Sequence, residues 1–77
     1  MNKGRRNQIS ELSTQLTDLQ EQIESIQNEE QEYFDNMPEG LQNGERGQAA
    51  ESSIDELSSA VDSISEAIDA LFNAINN

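Results

Sequence analysis

The chain is 77 residues long, with 16 Asp and Glu against 4 Lys and Arg, a formal net charge of −12 and 32% hydrophobic residues. A chain so short and polar makes at most one small domain, and one copy cannot bury a thick core. It has neither cysteine nor histidine, which removes disulfides, thiolate metal sites and the usual general base; its charge disfavours direct binding to DNA, RNA or an anionic membrane.

Residues 1–6 hold Lys3, Arg5 and Arg6 and read as a flexible basic tail, because the helix macrodipole disfavours cations at a helix N-terminus. Polar Asn7 and Gln8 follow where a signal peptide would place its apolar core, and no apolar run approaches the roughly 18 residues of a membrane span. A cytoplasmic protein with no membrane partner is therefore expected.

Asn7 is a candidate N-cap, and a first helix is expected over about 7–36. Its apolar residues fall at heptad a (Ile9, Leu16, Ile23) and d (Leu12, Leu19, Ile26, Tyr33). The flanking e and g positions, Gln8, Ser13, Gln15, Gln20, Gln22 and Gln27, are neutral. They carry no charge code for choosing a partner, but they let a second helix pair approach closely. The outer face holds Glu11, Asp18, Glu21 and Glu24.

The helix runs into the acidic stretch Glu29-Glu30-Gln31-Glu32-Tyr33-Phe34-Asp35, and Pro38 then stops it, since the residue before proline is pushed out of the α region. A connecting loop is expected over 37–43. Carboxylates at a helix C-terminus oppose its dipole, so a compensating cation is needed. Arg46 is the only one beyond position 6, and it is expected within reach of Glu30 and Asp35.

A second helix is expected over about 44–76 with Asn43 as its cap, although Ser52-x-x-Asp55 and Ser53-x-x-Glu56 also resemble capping boxes and allow a start near 53. Its seam reads Ala50, Ile54, Leu57, Val61, Ile64, Ile68, Leu71, Ile75, with Ala60, Ala67 and Ala74 together at g. Asp55, Asp62 and Asp69 at b, with Glu66, form a second acidic outer face.

Folded back near Gly40, the two series pair at a constant sum of 80: Ile26 with Ile54, Ile23 with Leu57, Leu19 with Val61, Leu16 with Ile64, Leu12 with Ile68 and Ile9 with Leu71. Two unrelated heptad runs need not be in phase about one turn. The fold expected is all-α: residues 7–77 form one domain, an antiparallel helical hairpin whose paired residues become the core of a four-helix bundle dimer or higher oligomer.

Catalysis finds no footing here. No histidine, cysteine or lysine is placed to activate a serine, and the carboxylates lie on outer faces with no apolar pocket to raise a pKa. Gly40-x-x-x-Gly44-x-x-Gly47 lacks the Gly-Lys-Ser/Thr ending of a phosphate loop. A calcium loop begun at Asp35 fails at Met37 and Arg46. No catalytic residue, cofactor or metal is expected, and Glu29–Asp35 reads as a solvated charge run. The tip nevertheless concentrates hydrogen-bonding side chains, Asn36, Gln42, Asn43, Arg46 and Gln48, beside Tyr33. It is either a folded cap on the bundle end or a recognition surface.

The run Tyr33-Phe34-Asp35-Asn36-Met37-Pro38-Glu39-Gly40-Leu41-Gln42-Asn43-Gly44-Glu45-Arg46-Gly47, followed by an Ile/Ala/Asp-rich helix, resembles small acidic coiled-coil proteins of tailed bacteriophages, mostly without assigned function. The similarity spans about residues 28–72. It implies a phage setting and a non-enzymatic protein that binds and inhibits a host defence component. Two mechanisms are expected to compete. As a nucleic-acid mimic, the chain would set its outer carboxylates against a host protein's basic surface. As a sponge for a nucleotide second messenger, it would use the loop and Arg46 at an oligomer interface. A structural or assembly coiled coil is the alternative from another class.

Overall fold

The computed structural model describes residues 1–77 and is all-helical: α1 (Lys3–Asp35), α2 (Glu39–Gln42) and α3 (Glu45–Ile75). α1 and α3 pack along each other and α2 packs on α3. The result is a hairpin-like rod with extents of 58 × 15 × 12 Å. Its radius of gyration, 17.4 Å, far exceeds the roughly 11.5 Å of a compact domain of this length.

The first helix begins earlier than Asn7. Asn2 is the N-cap, its side-chain oxygen accepting from the Arg5 backbone N–H at 2.8 Å, so residues expected in a basic tail are helical from Lys3 onward. A side-chain cap satisfies an otherwise orphaned N–H, and that outweighs the unfavourable dipole interaction of Arg5 and Arg6. Beyond Gly4 no glycine or proline interrupts the chain before Pro38, and α1 runs unbroken for 33 residues. Asn36 closes it, donating its backbone N–H to the Glu32 carbonyl at 3.0 Å, and the Met37 N–H bonds the Phe34 carbonyl at 3.1 Å.

The loop expected over 37–43 contains the single turn α2, in which the Leu41 and Gln42 N–H groups bond to the Pro38 carbonyl at 2.8 and 3.1 Å. Asn43 is the C-cap of α2, and Gly44, not Asn43, is the N-cap of α3. Gly44 offers no side chain, so the first turn of α3 relies on Glu45, whose charge complements the positive end of the dipole. No residue of the tip adopts positive φ and no peptide bond is cis. Its glycines are therefore not there to supply a left-handed turn. Gly47 has a steric reason: it is buried, and a Cβ there would collide with the Gln42 carbonyl group and stand 2.6 Å from the Gln42 Cα.

The register comes out close to expectation. The Gln20 side-chain amide donates to the Val61 carbonyl at 3.1 Å and to the Ser65 hydroxyl, and the Gln27 amide donates to the Ile54 carbonyl at 3.4 Å. In both carbonyl contacts the residue numbers add to 81, one from the expected 80. The face of α1 that turns inward is different. Its half-buried positions are Ile9, Ser13, Leu16, Gln20, Ile23, Gln27, Glu30 and Phe34, which are heptad a and e. The d residues Leu12, Leu19 and Ile26 are 51%, 49% and 53% exposed. They do not form the inner seam with Ile68, Val61 and Ile54. On α3 the expected seam does face inward, with Ile54, Leu57, Val61, Ile64, Ile68 and Leu71 all half-buried and Ala50 the one fully buried hydrophobic residue.

Candidate interaction surfaces

Three surfaces follow from this packing. The first is acidic. Glu11, Asp18, Glu21 and Glu24 on α1 and Asp55, Asp62, Glu66 and Asp69 on α3 are all exposed, as their outer heptad positions require. Asp55, Asp62 and Asp69 recur every seven residues, which at 1.5 Å per residue spaces them about 10.5 Å apart along the rod. Three of the four cations stand at the far end in the first turns of α1, so the middle of the rod presents unrelieved negative charge. No group of three or more carboxylates is clustered as a metal site.

The second surface is at the tip, where Tyr33, Asn36, Met37, Pro38, Leu41 and Arg46 line an open hollow of about 340 Å³. α1 supplies its aromatic wall, the Pro38 turn and α2 its apolar floor, and the first turn of α3 its cation. Tyr33 and Leu41 are half-exposed there. The tip therefore divides the residues predicted for it. Tyr33, Asn36 and Arg46 come together. Gln42 is structural, its amide donating to the Phe34 carbonyl at 3.0 Å, and Asn43 ends α2. Gln48 is exposed on α3 and not part of the hollow. Arg46 is placed with the Tyr33 group, whereas Asp35 accepts from the Gln31 amide at 2.9 Å. The hydrogen bond to the Asp35 carboxylate thus comes from Gln31 and not from Arg46.

The third surface is the outward seam of α1. The d residues Leu12, Leu19, Ile26 and Tyr33 are each about half-exposed, and the g residues Gln8, Gln15, Gln22 and Glu29 between them are exposed as well. At its N-terminal end Gln8, Glu11, Leu12 and Gln15 enclose a shallow hollow of about 300 Å³. On α3, Phe72 is 65% exposed. It stands one position outside the a/d series, and only its size and apolarity could have singled it out.

The chain matches no protein-family model, no curated protein and no solved structure. No helix is long and apolar enough to cross a membrane.

Proposed function

We propose that the chain is a non-enzymatic, phage-type interaction protein, an antiparallel helical hairpin that oligomerises and binds a basic surface on a host defence protein, acting as an acidic mimic of nucleic acid. The observation that carries this reading is the row of exposed carboxylates along both long helices, continuous with a formal net charge of −12 over a rod 58 Å long. That is about one net charge per 5 Å, and about one per 2.4 Å if two copies lie side by side. Duplex DNA carries one charge per roughly 1.7 Å. A protein groove evolved to hold phosphates would accept such a rod through charge complementarity and long-range steering.

The tip favours a second reading. A hollow with an aromatic wall, an apolar floor and one guanidinium suits a base stacked on Tyr33 with a phosphate at Arg46. On that reading the protein sequesters a nucleotide signal in the bacterial cytoplasm.

One experiment separates the two. Tagged protein is used to capture binders from a lysate of phage-infected bacteria, and both bound proteins and bound nucleotides are analysed by mass spectrometry. The mimic reading expects a nucleic-acid-binding protein that is released by added duplex DNA and not retained by Asp55→Asn/Asp62→Asn/Asp69→Asn. The sponge reading expects a nucleotide at stoichiometric yield that Arg46→Gln fails to retain. Recovery of structural phage components alone would point instead to an assembly role.

A further inference from the structure

The outward seam of α1 has the pattern of a second coiled-coil face. It reads Gln8, Leu12, Gln15, Leu19, Gln22, Ile26, Glu29, Tyr33, with alternate spacings of four and three residues. That is the spacing of a heptad seam, and its apolar members are each about half-exposed. The chain exposes 5665 Å², whereas a compact monomer of 8.6 kDa presents about 4,700 Å². The excess, roughly 1,000 Å², belongs to the elongated rod as a whole and leaves enough surface for the roughly 800 Å² that each partner gives to a specific interface.

The seam is also its own complement. Placed antiparallel to a copy of itself about a two-fold axis midway between positions 22 and 23, it sets Leu19 against the partner's Ile26 and Leu12 against the partner's Tyr33. The hollow bounded by Gln8, Glu11, Leu12 and Gln15 consists of residues i, i+3, i+4 and i+7. That diamond is the hole that receives one knob from a facing helix. Tyr33, the last apolar residue of the seam, is the knob that arrives there. Charge fits as well. α1 has no acidic residue in its first turn and no basic residue in its last, so both ends oppose its dipole. Antiparallel pairing brings Arg5 and Arg6 of one copy beside the partner end that carries Glu32, Asp35 and Glu39.

We infer that two copies associate antiparallel through the outward seam of α1, with the partner's Tyr33 seated over Leu12 at each end and Gln22 beside the two-fold axis. This deepens the oligomer part of the reading above and rests on it, but not on what the acidic faces bind. The arrangement leaves the α3 carboxylates of both copies facing outward.

The chain has no native cysteine, so single introduced thiols report the geometry. Gln22→Cys and Gln8→Cys both replace exposed side chains. Under mild oxidation Gln22→Cys is expected to give a disulfide-linked dimer in high yield and Gln8→Cys is not, because the two copies of position 8 lie about 43 Å apart. Leu19→Asp in the Gln22→Cys background is expected to reduce crosslinking to background. Equal crosslinking of both single-thiol variants means a parallel pair and overturns the proposal. Association by sedimentation without crosslinking at position 22 overturns this interface while leaving the oligomer reading intact. A folded monomer overturns both.

Discussion

Gly47 shows how one side chain can hold the tip together by being absent. It is buried in the first turns of α3, directly against the end of α2, and a Cβ there would overlap the Gln42 backbone. The backbone of Gln42 cannot rotate away as a side-chain end could, so Gly47→Ala has to push α2 off α3. Overpacking of this kind costs about 1–3 kcal/mol, and thermal denaturation should show a lowered melting temperature. Gly40 is the control: a Cβ there meets nothing within 4 Å. Gly40→Ala should be neutral or stabilising by up to about 1 kcal/mol, because alanine is the better helix former. Nothing in the local sequence distinguishes these two glycines, because the reason for Gly47 is the position of α2, five residues earlier. For Arg46 the sequence places it at the tip beside Tyr33 and Asn36, and the three line one hollow; the expected link to Asp35 differs, because Gln31, one turn back on the same helix, donates to that carboxylate.

Among the elements, α1 was legible in its period and its end but not in its start or its inward face. Heptad spacing determined that two long helices exist and that their register sums to about 80, and the hydrogen bonds from Gln20 and Gln27 agree within one residue. Heptad spacing does not fix rotation. Turning α1 by about 50° exchanges the d stripe for the e stripe, and neutral glutamines at e tolerate either side of that choice. Here Gln20 and Gln27 turn inward and bond α3 carbonyls, and Leu12, Leu19 and Ile26 turn out. The start of α1 was missed because the cap is Asn2, ahead of the basic residues that argued against a helix. Asn2→Ala removes the acceptor for the Arg5 N–H and should cost about 0.5–2 kcal/mol of local helix stability. Amide hydrogen exchange checks this, with faster exchange expected at Arg5 and Arg6 and unchanged exchange in the middle of α1.

At the scale of the whole molecule, self-repulsion and an uncovered apolar seam dominate. A formal charge of −12 on 77 residues works against both compaction and the meeting of two copies, and these are solvent-exposed charges that added ions screen over a Debye length of about 10 Å at 0.1 M. Raising NaCl from 0.02 to about 0.5 M should therefore raise the melting temperature and tighten self-association. A fall in melting temperature with salt would mean that attractive ion pairs outweigh the repulsion. The most direct test of the account is equilibrium sedimentation at micromolar concentration, alongside circular dichroism to confirm that the chain is helical. A helical species of twice the 8.6 kDa chain mass is expected, because a lone hairpin with two of its three α1 leucines exposed buries too little apolar area to offset the entropy of ordering the chain. A stable helical species of 8.6 kDa would contradict it.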